Sequence, residues 1–192
     1  MSEASEAVEA VEKNRTVALV IAILALLLAL AEAGAKNAQH QSTENNIESS
    51  DLFNFYQAKR IRSTIAETSA AMLEAQKSAV SDPKAQEAFE KQIADFKATV
   101  ARYEKDPKTP EDSLDKIQDR AKDAVERREL ANRRLEHYEL GSGLAQIAIV
   151  LASAAIITGI AALVWFSAAL GAIGAALVAF GFLAPTVLPL SG

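Results

Sequence analysis

The chain has 192 residues, 20 basic and 25 acidic, a net charge of -5 and no cysteine. Disulfides and thiolate chemistry are therefore excluded, and a modest, mixed charge gives no basic surface of the kind nucleic acid requires. The charges are unevenly placed: Lys36 to Glu139 holds 18 of the basic and 20 of the acidic residues, and no Asp, Glu, Lys or Arg follows Glu139. A stretch of about fifty residues without a charge reads as bilayer spans or as an unusually buried core.

Residues 1–15 form an acidic tail in which Glu3, Glu6, Glu9 and Glu12 recur every three residues, followed by Lys13 and Arg15. Thr16 to Ala31 carries no charge. A spanning helix needs about 20 residues, so the first span is expected over 16–35, with Glu32 reaching the headgroup level. Ala33-Gly34-Ala35 also resembles a signal-peptide cleavage site, but signal peptides begin basic and this tail is acidic. An uncleaved span is the expectation.

The polar middle, 36–140, is expected to be an extramembrane helical domain. Lys36 to Asp51 contains neither Pro nor Gly. The helix either continues through it or breaks, with Asn45, Ser49 or Ser50 as the cap of a new one. Phe53, Phe55 and Tyr56, with Leu52 and Lys59 nearby, form a dense cluster that reads as packing against a partner helix, or as a headgroup-level belt or docking site. Ile61, Ile65, Met72, Ala75 and Ala79 continue a helical stripe.

Ser81-Asp82-Pro83 and Asp106-Pro107-Lys108-Thr109-Pro110 are stop-and-start signals, with Pro in the first turn of the following helix. Phe89, Ile93, Phe96, Val100 and Tyr103 alternate spacings of four and three, the rhythm of a heptad seam. Leu114, Ile117, Ala121, Ala124, Arg128, Ala131, Leu135 and Tyr138 keep it. Three antiparallel helices are expected, over about 45–80, 83–105 and 110–140, together a coiled-coil-like stalk.

Gly141-Ser142-Gly143 reads as a hinge or a helix end, and the second span as a continuation of the stalk through that joint. Spans are expected over 143–164 and 167–190, with Trp165-Phe166-Ser167 at the turn and Pro185 and Pro189 ending the second. Gly171, Ala175 and Ala179, and likewise Ala168, Ala172 and Ala176, are small residues spaced by four, suited to close helix approach. The fold class is thus all-α: three transmembrane helices, with the helical domain between the first and second.

No metal-ligand spacing, P-loop or dinucleotide fingerprint occurs, and no convergent acid, base or nucleophile can be assembled. No enzyme, cofactor or metal is expected. His137, among Glu136, Tyr138 and Glu139, reads as a juxtamembrane surface residue. Arg127, Arg128, Arg133 and Arg134 form a collar before the second span. It is either a solvated face paired with Glu126, Glu129 and Glu136 or a contact for anionic headgroups, geometrically best for Arg133 and Arg134.

Phe55-Tyr56-Gln57-Ala58-Lys59-Arg60-Ile61-Arg62, the Gln146-Ile147-Ala148-Ile149 opening of a span and Trp165-Phe166-Ser167 together resemble a bacterial family of uncharacterised inner-membrane proteins, domain of unknown function 4337. The resemblance covers most of the chain and implies the three-span layout, but no activity. Members tend to carry basic residues between the last two spans, and this chain has none there. The charge rule at Lys13 and Arg15 implies a cytoplasmic amino end and a periplasmic helical domain; the arginine collar points the other way, but long loops translocate largely regardless of charge. The expected partners are the lipid bilayer and a second copy or another membrane protein. The expected role is a non-enzymatic scaffold or interaction module acting through the stalk. An accessory subunit or small oligomeric channel or transporter component is the alternative.

Overall fold

The computed structural model describes residues 2–187, with side chains described from Arg15 onward. Four α-helices and one short 3₁₀ turn follow in order: α1 (Ser2–Ser78), α2 (Pro83–Glu104), the turn (Pro110–Asp112), α3 (Leu114–Thr158) and α4 (Ala161–Leu183). No strand occurs among the described residues. Three helices are long and apolar enough to cross a membrane: α1, α3 and α4.

The chain divides into two compact units. An apolar unit holds the residues up to Thr43 and those from Arg128 onward, and a polar unit holds Glu44–Arg127. The sequence places the boundaries nearer the uncharged segments, at 36 and 140. In the structure residues 36–43 and 128–140 belong with the apolar helices instead.

Helix α1 runs without a break through Lys36–Asp51, so no separate helix begins near residue 45. The candidate caps do other work. Ser49 and Ser50 donate their hydroxyls to the Asn46 carbonyl at 3.0 and 2.8 Å, and Thr43 donates to Gln39 at 2.9 Å. Such back-bonding occupies the hydroxyl inside a helix, and without Pro or Gly nothing interrupts the ladder.

In the polar unit, α1, α2 and the start of α3 pack through small and branched side chains. Leu52 of α1 packs with Ile117 and Ala121 of α3, and Tyr56 leans on them. Ser63, Ala66 and Ala70 continue the buried face of α1. Ile61, Ile65 and Met72, expected on the core stripe, are exposed instead. Leu52 and Tyr56 set the phase, and stepping by three and four from them reaches 63, 66 and 70. On α2, Ile93 is buried, and Phe89, Phe96, Val100 and Tyr103 are half-buried. Lys77–Glu90 and Lys97–Glu74 bridge α1 and α2, Lys97–Glu74 at 2.7 Å. Exposed pairs of this kind are worth at most about 1 kcal/mol each.

Asp82 caps α2, its side chain accepting from the Lys84 amide at 3.3 Å. The next loop is held by Asp106, which accepts from the Lys108 and Thr109 amides at 2.9 and 3.4 Å. The Lys108 amide above all holds its carboxyl below the ordinary carboxylate range. This contribution is present above that range and fades as pH falls through the lowered value. Thr109 makes no side-chain cap. Pro110–Asp112 closes a 3₁₀ turn, and Ser113, whose carbonyl accepts from Ile117 at 2.9 Å, stands before α3. The Lys59 amine donates to the Asp112 carbonyl and lies 5.1 Å from the Phe55 ring centre.

In the apolar unit, Gly141-Ser142-Gly143 does not end the helix: α3 runs unbroken through it, as expected of a span that continues the stalk. Gly141 is needed for approach. A Cβ there would stand 2.6 Å from Val178 Cγ2 and 3.0 Å from the Gly174 carbonyl, and a Cβ on Gly174 would stand 3.0 Å from the Gly141 carbonyl. The α3 and α4 backbones therefore touch.

The turn between α3 and α4 lies at Gly159-Ile160, not at Val164–Ser167. Gly159 has φ +70°, a left-handed conformation suited to glycine, and its amide returns to the Ala155 carbonyl at 3.0 Å. The Thr158 hydroxyl donates to the Ala154 carbonyl at 2.8 Å. Trp165 and Phe166 thus sit in the first two turns of α4, exposed. Ser167, fully buried, donates to the Ala148 carbonyl of α3 at 2.7 Å. Pro185 is buried just beyond α4; Pro189 and the end of the span expected to reach 190 lie outside the described residues.

The small-residue face also differs from expectation. Ala168, Ala172, Ala175, Ala176 and Ala179 are exposed, and α4 buries Ser167, Gly171, Gly174 and Gly181. Those positions follow the three-four rhythm of a packed helix face, whereas spacing by four alone drifts around the helix.

Candidate functional site

Two features stand out once packing is accounted for. One is a polar cluster at the end of the apolar unit. Ser42 of α1 donates to Asn132 of α3 at 2.5 Å. One and a half to two turns further along α3, Tyr138 packs against Gly34 of α1, where a Cβ would come within 3.0 Å of the ring. Gly181 of α4 lies against His137, a Cβ there falling 2.9 Å from His137 Cβ. Bare glycine backbone on two helices thus makes room for two rings on the third.

His137 is consequently fully buried, not the surface residue that its charged neighbours imply. Its Nδ1 lies 2.7 Å from the Arg133 carbonyl. In the neutral ring this makes Nδ1 the donor and leaves Nε2 as an acceptor; Nε2 is buried without a partner. Arg134 Nε is also buried without a partner. Buried polar atoms are nearly always hydrogen-bonded, so unpaired ones point to strain or to a group that belongs there.

The arginine collar separates into individual roles. Arg127 bonds Glu48 and Asn45 of α1 at 2.8 and 2.9 Å, not the acidic neighbours on its own helix. Arg133 is exposed. Arg134 is half-buried and lines a cavity of about 660 Å³ with Asn37, Gln41 and Tyr138 at its polar end.

The second feature is on α1 in the polar unit. Of the aromatic cluster, Leu52 is buried and Tyr56 half-buried, whereas Phe53 and Phe55 are exposed. Ile47, Ile61, Ile65 and Met72 are 56, 52, 59 and 63 % exposed. At 3.6 residues per turn they fall within about 40° of one another, on a side of α1 that nothing in the unit covers, with the exposed Asn54 between Ile47 and Ile61. Its helical spacing was legible in the sequence, but the buried side was not. No group of His, Asp and Glu able to hold a metal occurs among the described residues.

The architecture is that of an all-helical protein with three helices long and apolar enough to cross a membrane. Residues 13–184 match the family model described as Domain of unknown function (DUF4337), and the chain belongs to that family. No curated protein and no solved structure gives a match.

Proposed function

We propose that this is a non-enzymatic, multi-pass protein of the bacterial inner membrane whose polar helical unit is an interaction module, binding a second copy or another membrane protein. The apolar outer faces support the membrane reading. Leu19, Ile23 and Leu26 of α1, Val150 and Ile157 of α3, and Ile173 and Phe182 of α4 are all exposed. Water would penalise each by about 1.5–3 kcal/mol relative to burial, and a bilayer removes that penalty. Trp165 and Phe166 near the start of α4 suit a membrane interface. Lys13 and Arg15 favour a cytoplasmic amino end, which puts the polar unit on the periplasmic side.

The observation that carries the interaction reading is the Ile61-Ile65-Met72 stripe. An exposed apolar face on the charged part of a chain marks a contact surface, and anchors at i, i+4 and i+11 are read by a partner helix laid along them. A photoreactive residue in place of Ile65 tests it in native membranes, with the same residue at exposed Lys116 as comparison. A discrete covalent adduct from position 65, absent from 116, is expected. A position 65 that yields no adduct above that of 116 would contradict the reading.

A further inference from the structure

We infer that the crevice between α1 and α4 is a binding site for one anionic phospholipid, its headgroup at Arg134 and one acyl chain laid along the two helices. The inference rests on the membrane reading above and extends it to a specific ligand.

The crevice has two parts. The first is the 660 Å³ cavity, whose polar end presents Arg134, Asn37 and Gln41 and, among the described residues, no carboxylate. Its apolar wall includes Leu30, Ala33 and Ala175. The second, of about 380 Å³, is apolar throughout and includes Val20, Leu27, Leu30, Ala172 and Ala175. Leu30 and Ala175 line both, so the two form one crevice with a polar head and an apolar tail.

Shape and charge both select the occupant. The apolar part runs from Leu30 to Val20, ten residues or about 15 Å of helix. Glu32 and Lys36 lie just beyond Leu30 on α1, so the polar head lies where the charges of α1 resume. Among the described residues the one ionic group lining the crevice is the Arg134 guanidinium, and its buried Nε has no partner among them. A phosphate or phosphodiester accepts from such a group through charge-assisted bonds. A second protein helix would fill the apolar part equally well, but would leave the arginine unmatched unless it brought a carboxylate.

The test uses full-length protein extracted from membranes into nanodiscs holding phosphatidylcholine with a minor share of phosphatidylglycerol. Bound lipid is counted by native mass spectrometry. The expected result is one phosphatidylglycerol per chain, with retention reduced about fivefold or more by Arg134→Gln, the effect of one basic contact. Ala172→Phe, a change at an exposed position that fills the apolar part, is expected to reduce it as well. Arg133→Gln, on the exposed side of the same turn, should change it little. Equal losses for Arg133→Gln and Arg134→Gln would mean general surface attraction and would overturn the site. So would equal retention of phosphatidylcholine, or a second protein chain occupying the crevice. Release of the wild-type chain from membranes by alkaline carbonate would instead defeat the membrane reading itself.

Discussion

Gly141→Leu is expected to lower the stability of the apolar unit by about 3 kcal/mol, the upper part of the range for overpacking a close contact. A side chain there must displace Val178 and then meets the Gly174 carbonyl, which is backbone and cannot rotate away. The α3–α4 contact would open, and with it the Ser167 bond to the Ala148 carbonyl. Gly171→Ala is the informative comparison. The added carbon collides only with the tip of Leu24, which can change rotamer at a cost of about 1 kcal/mol or less. Thermal unfolding in detergent, followed by the fluorescence of Trp165, the single tryptophan, reads both. Equal midpoints for the two variants would contradict the backbone contact.

The double variant Ile61→Glu, Ile65→Glu is expected to leave the folding midpoint within about 0.5 kcal/mol of the native chain, because both side chains are more than half exposed. Its effect should fall on association. Two apolar anchors replaced by charges are expected to cost more than about 1 kcal/mol each where a partner covers them, at least a tenfold loss of binding together. Crosslinking yield in native membranes measures this directly. A variant that unfolds would show that the stripe is part of the core. One that folds and associates normally would show that the partner docks elsewhere.

How much of this could be read from the sequence depended on which kind of signal each feature leaves. The charge distribution gave the apolar helices, because fifty uncharged residues have few physical homes. Pro83 and Pro110 gave the breaks around α2, because proline removes a donor and fixes φ. Helix continuity through Lys36–Asp51 and through Gly141–Gly143 was less legible. Serine, asparagine and glycine there are compatible with a cap or a hinge as well as with an unbroken helix, and only the hydrogen bonds decide. Aromatic interface preference points to an α3–α4 turn at Trp165-Phe166-Ser167. The conformation of Gly159 was the deciding term, and a glycine flanked by Thr158 and Ile160 was its sequence trace.

The packed faces were the hardest part. Ile61, Ile65 and Met72 are more hydrophobic than Ser63, Ala66 and Ala70, yet the small residues are the buried ones. Close approach of helices favours small side chains, and the larger ones are left for a partner. The same inversion holds on α4, where glycines and a serine are buried and the alanines face outward. His137 follows a related logic: its neighbours in sequence are charged, but its neighbour in space is Gly181. Of the arginines singled out, Arg134 lines a cavity and Arg133 does not, a difference that adjacent positions in a sequence cannot show.

A three-span architecture requires α3 to cross the membrane, and this can be read from two positions in one experiment. The native chain has no cysteine, so single cysteines at Ser81 and at Thr158 can be labelled with a membrane-impermeant maleimide in intact and in lysed cells. With α1, α3 and α4 all crossing and the polar unit outside, Ser81→Cys should label in intact cells and Thr158→Cys only after lysis. The same labelling at both positions, whether from outside or only after lysis, would put the α1–α3 segment and the α3–α4 turn on one side of the membrane and contradict the three-span architecture.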